Sequence, residues 1–491
     1  MDHDSPRRIE TGVTGLDDIL SGGFPVGQMY LVEGDPGTGK TTLAMQFILA
    51  GAGRGGRSLY ITLSESRDEL ESSAKSHGWN PQNLPIAEFV PAEANLNPKE
   101  QYTIFRPSEV ELSDTIQKLT TVIDEVKPDR VVIDSLSELR LLASDPMRYR
   151  RQLLALKHFF AGRDCTVLLL DDRTADGSDT QLQSIAHGVL RLEKMHRSYG
   201  TTRRQLEVVK LRGSAFREGF HDYSILRGGL CVYPRLVAQE HIAAFAGERI
   251  QSNLPGLDKM FGGGVNRGTS SLLIGPSGCG KSTMAMVFAN AASQRGERAI
   301  VYVFDEVLRT AQDRLESIGI PVRDEIAKGN LRMTQVDPAA LSPGEFAAQI
   351  RADVEANNTR VVVIDSLNGY LTSMPGEKDL SVHLHELIAY LNQRGVATFL
   401  IYTQHGLVGN MQTEVDISYL SDTVVLLRYF EAAGSLRKLV SVVKQRVGNH
   451  EDTLRELRIT NKGVQIGEPL TSFRGVMTGV PEIQSTSGAK A

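Results

Sequence analysis

Two stretches of this chain are near copies of each other. TGLDDILSGGFPVGQMYLVEGDPGTGKTTLAMQF begins at Thr14, and PGLDKMFGGGVNRGTSSLLIGPSGCGKSTMAMVF begins at Pro255. Lys40 and Lys281 stand 281 − 40 = 241 residues apart, as do Gly15 and Gly256. Later landmarks nearly keep that interval: Asp134 and Asp365 are 365 − 134 = 231 apart, Arg212 and Arg446 are 446 − 212 = 234 apart. An offset this steady marks a duplicated domain. The chain must therefore fold as two similar units.

With 491 residues, each half has enough chain to bury its own core. The boundary is expected near 233–249, where Pro234 ends a strand-like stretch and Gly247 precedes the second copy. This gives a first domain over 1–240, a second over 247–470, and a polar tail rich in Gly, Ser and Thr over 471–491, expected to be mobile.

Each half alternates short β-rich runs with helical apolar spacing. Strands are expected at 28–33, 58–63, 130–134 and 166–171, and at 271–274, 299–304, 360–365 and 398–402. Helices are expected at 42–52, 113–126 and 147–161. Parallel strands need crossover helices, so the fold class is α/β: a parallel sheet flanked by helices, twice.

The motifs GDPGTGKT and GPSGCGKS both fit G-x-x-x-x-G-K-[ST], and each follows a strand and opens a helix. Gly34, Gly37 and Gly39 in the first, and Gly275, Gly278 and Gly280 in the second, let backbone N–H groups close around phosphates. Lys40 and Lys281 bring positive charge to the β- and γ-phosphates. Thr41 and Ser282 place a hydroxyl on Mg²⁺. Thr42 and Thr283 continue the helix N-terminus, which itself favours an anion. The expected ligands are ATP and Mg²⁺. Asp134 and Asp365 end buried-strand runs, where such an acid helps hold the metal. Glu65, and Asp305 with Glu306, follow the next strand; both glutamates lie 25 residues after their lysines (65 − 40 and 306 − 281). A carboxylate there can orient and deprotonate the group attacking the γ-phosphate.

The paired phosphate loops, these acids, KLRG at 210–213 and DISYLSDTVVLLRYFE at 416–431 together resemble the KaiC family, duplicated RecA-like ATPases and autokinases of the cyanobacterial clock. The likeness covers nearly the whole chain. It implies tandem RecA-like domains in a two-tiered homohexameric ring with ATP between protomers. It also implies that Lys210 and Arg212, and in the second ring Lys444 and Arg446, reach the γ-phosphate held by a neighbour. The family's second domain phosphorylates itself, and the matching acceptors here are Ser418 and Tyr419, with Thr413 matching a further threonine. Asp305 stands where the family has the glutamate that activates the accepting hydroxyl. The resemblance thus implies an ATP-hydrolysing serine/threonine autokinase with Ser418 as acceptor, acting as a nucleotide- and phosphorylation-dependent switch toward a signalling partner. Two positions depart from the family pattern. Ser64 precedes Glu65, so the first acidic pair is reduced. Tyr419 replaces the second acceptor, which speaks against an ordered two-site cycle.

Composition narrows the alternatives. Net charge is −5, from 54 basic and 59 acidic residues, with no footprint for nucleic acid. A DNA-dependent ATPase is therefore disfavoured. A nucleotide-gated interaction platform without kinase activity stays open. Three cysteines make no disulfide framework, which points to a reducing cytoplasm. The N-terminal residues have no apolar core of a signal peptide, and no run reaches the ~20 residues needed to cross a bilayer. Cys279 reads as a variable loop position. His383 and His385 alternate and so do not share a helical face, which gives no metal site. Thr403, Gln404 and His405 follow a strand and could sense a γ-phosphate. Trp79 is expected to cover a helix end.

Overall fold

The structure is a computed structural model that describes residues 7–89, 108–143, 145–173, 180–196, 200–372, 380–404, 418–432, 434–471, 473–474 and 482–483. They form two compact units that divide between Arg235 and Leu236.

Among the described residues, the first unit carries a nine-stranded sheet. In chain order its strands are β1 (Met29–Gly34), β2 (Ser58–Thr62), β3 (Ile86–Glu88), β4 (Arg130–Asp134), β5 (Thr166–Asp172), β6 (Gly188–Met195), β7 (Arg203–Leu211), β8 (Phe220–Leu226) and β9 (Gly229–Tyr233). Their order across the sheet is β3-β2-β4-β5-β1-β6-β7-β8-β9. The first six are parallel, and β7 to β9 continue the sheet in antiparallel fashion.

The second unit repeats this plan with β10 (Ser270–Gly275), β11 (Ala299–Val303), β12 (Leu331–Gln335), β13 (Val361–Asp365), β14 (Ala397–Thr403), β15 (Thr423–Ala432), β16 (Ser435–Gln445), β17 (Arg455–Thr460) and β18 (Gly463–Pro469). The order is β12-β11-β13-β14-β10-β15-β16-β17-β18, so each strand is the counterpart of the one nine places earlier. The duplication read from the sequence is a duplication of topology.

The sheets are buried on both faces because their central strands carry apolar residues at consecutive positions, such as Met29–Val32 in β1 and Leu272–Ile274 in β10. In β1, Met29 and Leu31 enter one core while Tyr30 and Val32 enter the other. Leu273 and Leu272 in β10 divide likewise between the two cores of the second unit. Period-two side-chain placement produces this division. Each fully buried aliphatic side chain contributes roughly 1.5–3 kcal/mol, so the centre of each sheet is the rigid base for the loops at its edge.

The antiparallel strands were not read from the sequence beyond the stretch ending at Pro234. They are half-buried and mixed in polarity: Arg203–Leu211 alternates buried and partly exposed positions irregularly. Helix Lys40–Ala52 starts two residues earlier than its apolar spacing suggested, because its first residue is the loop lysine itself. The GLD triplet shared by the two copies, at 15–17 and 256–258, has a structural role: Asp17 accepts from the Thr11 N–H at 2.9 Å, and Asp258 from the Ser252 N–H at 2.7 Å. Trp79 packs against the first unit's core, near His77.

Residues 236–248 belong to the second unit. The turn Ala238–His241 lies against helix Leu380–Gln393, and the His241 and Tyr390 rings meet edge to face at 5.2 Å. Phe245 sits over Gly268 and Gly395, where an added Cβ would come within 2.5 Å and 2.4 Å of its ring. The Arg267 guanidinium lies 5.4 Å from the centre of that ring. Of the expected tail, Phe473–Arg474 pairs with Glu482–Ile483. The rest of it beyond Thr471 lies outside the described residues.

Candidate nucleotide sites

Each phosphate loop leaves the end of its central strand and turns into a helix at a left-handed glycine. Gly39 has φ 100° and Gly280 φ 108°, conformations that a side chain strongly disfavours. An added Cβ would also lie 2.8 Å from Ile225 Cδ1 at the first and 2.7 Å from Ile459 Cδ1 at the second. The turns aim the first backbone N–H groups of helices Lys40–Ala52 and Lys281–Gln294 into the loop, the arrangement that holds phosphate.

The loop lysines are buried and held in place. Lys40 Nζ donates to the Gly34 carbonyl at 2.8 Å and the Asp35 carbonyl at 3.2 Å. Lys281 Nζ donates to the Gly275 and Pro276 carbonyls at 2.9 and 2.7 Å. Burial holds Lys281 below the ordinary lysine range, opposed by the Asp365 charge.

The metal-binding expectation fits the side chains present. Thr41 Oγ1 donates to Asp134 Oδ2 at 3.0 Å, and Tyr60 OH donates to the same oxygen at 2.5 Å. Ser282 bonds Asp365 in the second unit. Burial pushes both carboxyls up, while these hydroxyl bonds pull them down. One hydroxyl and one carboxylate per site, completed by phosphate oxygens and water, is a donor set suited to Mg²⁺. Among the described residues no cluster of three or more His, Cys, Asp or Glu could hold a metal ion. Thr42 and Thr283 are buried in the first helical turn.

The acids differ between the sites. Burial, then the charges of Asp134 and Glu69, raises Glu65 above the usual carboxylate range. Glu306 is paired with Arg314 at 2.9 Å. Asp305 accepts a hydrogen bond from Ser366 Oγ. Lys281, Ser282, Asp305, Glu306, Asp365 and Ser366 all line one cavity of about 430 Å³ in the second unit, so the acids stand over the phosphate loop.

The four basic residues lie toward the other end of each sheet. Leu211 pairs with Gly188, which faces Tyr30 near the start of β1, whereas the phosphate loop leaves after Gly34. Lys210 donates to the Gln183 carbonyl, and Arg212 donates to the Ser184 carbonyl at 2.8 Å. Burial lowers Lys210, with Arg212 and Lys157 adding repulsion. Lys444 donates to the Ser418 and Ser421 carbonyls, each at 2.9 Å. Arg446 reaches the Tyr419 carbonyl at 2.9 Å and Asp422 at 3.4 Å.

Ser418 and Tyr419 sit in a short turn, Ser418–Leu420, just before β15. They are not among the residues lining the cavity that holds Asp305. Thr413 and His405 lie outside the described residues. Cys279 is a buried thiol raised by its burial, a state that disfavours the reactive thiolate. Three side chains were missed from the sequence. Arg314 and Ser366 carry no motif of their own. Asp172 meets Lys40 only because β5 lies beside β1.

The family description "ATPase: KaiC" matches residues 9–237 and again 250–471. Relatives are similar over nearly their full length. A "Circadian clock protein KaiC3" of Synechocystis sp. is 25% identical, the match covering 99% of this chain and 98% of the relative. A "Circadian clock oscillator protein KaiC" of Thermostichus vulcanus is 27% identical, with 97% and 92% covered. A "Circadian clock protein KaiC2" of Synechocystis sp. is 28% identical, with 97% and 84% covered. Two phosphate loops on two copies of one sheet, matched separately by one family description, lead to a single conclusion: the chain belongs to the KaiC family of ATPases.

Proposed function

We propose that this chain hydrolyses ATP at both phosphate loops and that its second domain transfers phosphate to Ser418. The observation that carries the reading is the cavity that joins Lys281, Ser282 and Asp365 to Asp305 and Glu306. In hydrolysis, Glu65 in the first site and Glu306 in the second orient a water molecule and take its proton as the bond from the γ-phosphorus to its bridging oxygen breaks, releasing ADP and phosphate. Mg²⁺, held by Thr41 with Asp134 and by Ser282 with Asp365, would neutralise charge on the phosphates. In the kinase step Ser418 Oγ bonds to the γ-phosphorus, the same bridging bond breaks, ADP leaves, and Asp305 takes the hydroxyl proton.

On this reading Ser418 and the basic residues serve a neighbour's site. Lys210, Arg212, Lys444 and Arg446 lie away from the end of the sheet where their own phosphate loop leaves. A homohexameric ring closes the gap, with these cations stabilising transition-state charge across each protomer boundary. On this reading the chain acts as a switch that reports nucleotide and phosphorylation state to a signalling partner, in keeping with relatives named as circadian clock proteins. The acidic balance disfavours nucleic acid, and no helix among the described residues is long and apolar enough to cross a membrane. A cytoplasmic location follows from the cysteine usage.

The Ser366–Asp305 hydrogen bond favours a second reading, in which the carboxylate is occupied and the protein is a nucleotide-gated platform with ATPase but no kinase activity. Incubation with ATP and Mg²⁺, followed by phosphosite mapping by mass spectrometry and size measurement with and without ATP, separates the two. Phosphate on Ser418 in a hexamer supports the first. An ATPase without phosphate on Ser418, Tyr419 or Thr413 leaves the second.

A further inference from the structure

The two phosphate loops differ at one position opposite the lysine. In β5 the residue paired with Gly34 is Asp172, and in β14 the residue paired with Gly275 is Thr403. These are true counterparts, each closing the strand beside the one that launches the loop. Each is steadied by a side chain at a matching place: the Asp172 N–H donates to Ser137 Oγ at 3.3 Å, and the Thr403 N–H to Asn368 Oδ1 at 2.6 Å. The backbone is therefore supported alike and the side chain differs.

The consequence falls on the lysine. Asp172 Oδ1 lies 2.7 Å from Lys40 Nζ. With the Gly34 and Asp35 carbonyls, this gives the ammonium three acceptors, all that its three N–H groups can serve. Lys281 is held by two carbonyls and, among the described residues, by no carboxylate. A γ-phosphate that grips Lys40 must take the place of the Asp172 carboxylate and then sit beside that displaced negative charge. A diphosphate places less charge at the tip of the lysine and meets less of this opposition. The Lys40 side chain is 9% exposed, so its pairing is screened less than a surface ion pair, while Asp172 at 40% has room to swing away.

We propose that Asp172 makes the first site discriminate against a triphosphate relative to a diphosphate by competing with the γ-phosphate for Lys40, and that Thr403 frees the second site of this competition. The two domains would then fill differently at one nucleotide ratio, the second taking the triphosphate form first. This inference rests on reading residues 34–42 as a nucleotide site.

The test uses the full chain carrying Lys281→Ala, which silences the second site. Isothermal titration with Mg²⁺–AMPPNP and Mg²⁺–ADP compares this background with the same chain carrying Asp172→Thr. The expected result is AMPPNP binding tightened about fivefold or more, the scale of one partly exposed charge pair, with ADP changed by less than about twofold. In a Lys40→Ala background, Thr403→Asp should weaken AMPPNP relative to ADP. Should Asp172→Thr misfold, Asp172→Asn removes the same charge at nearly constant shape. An unchanged AMPPNP-to-ADP ratio, or equal tightening of both, overturns the inference, because a residue that only positions Lys40 would do that. Failure of either nucleotide to bind any Lys281→Ala chain removes the reading of the first site itself, and the inference falls with it.

Discussion

Arg314 holds Glu306 with two nitrogens, Nη2 2.9 Å from Oε2 and Nε 3.4 Å from Oε1. The first domain has no such clamp at the matching place, where Ser73 stands (314 − 73 = 241). Arg314 occupies both Glu306 oxygens, which leaves that carboxylate less free to reach a water, whereas Glu65 is raised by burial and by Asp134 and so is suited to take a proton. Turnover should therefore reside mainly in the first domain. Glu65→Gln should lower phosphate release by about 10²-fold, and Glu306→Gln by less than about tenfold. Steady-state ATP hydrolysis measures both; equal losses would contradict the assignment.

Removing the clamp should have the opposite sign. In a Glu65→Gln chain, Arg314→Ser frees Glu306 and should raise the residual ATPase rate. The pair is about one-third exposed, so stability should change by less than about 1 kcal/mol. Chemical denaturation beside the rate measurement separates the two effects.

The lysines set the stoichiometry. Lys40→Ala and Lys281→Ala should each leave one nucleotide bound per chain, and the double variant none, as counted by equilibrium binding of labelled ADP. A single variant that loses both sites would mean that the sites do not bind independently.

A side chain at Gly39 or Gly280 is disfavoured, since each combines a left-handed φ with a close isoleucine methyl. Alanine at either should cost about 1–2 kcal/mol from the backbone alone. It should also weaken nucleotide binding at that site, and a thermal melt with and without ADP reads both.

His221 gives the first domain an acid sensitivity. Its Nδ1 accepts from the Arg235 N–H at 2.9 Å and its Nε2–H donates to the Arg217 carbonyl at 3.1 Å, so the folded ring is neutral. Burial, reinforced by Arg217 and Arg235, lowers its pKa from 6.5 to about 4. The unfolded chain takes up this proton below pH 6.5 and the folded chain only near 4. Stability from this group is thus complete above pH 6.5 and lost as pH falls toward 4, by on the order of 3 kcal/mol. Unfolding free energies across that window should show a shallower fall for His221→Asn.

The loops of the candidate nucleotide sites were legible as motifs because the pattern is local: eight consecutive residues define each loop, and the repeat interval pairs Asp134 with Asp365. The central strands were legible because burial on both faces gives each a run of consecutive apolar residues. The antiparallel extension was not, since half-buried strands such as Arg203–Leu211 carry no such run. Nor were Asp172 against Lys40 or Arg314 against Glu306. Sheet order brings Asp172 beside Lys40, and a helical turn after the strand brings Arg314 back to Glu306, in a chain whose charged residues are abundant and individually unremarkable.

The seating of Phe245 bears on how the molecule can be divided. A fragment begun at residue 250, where the second family match starts, would discard that ring and bare the backbone at Gly268 and Gly395 to water. The natural cut for an isolated C-terminal half therefore falls ahead of Leu236, which keeps the aromatic plug with the half it seals.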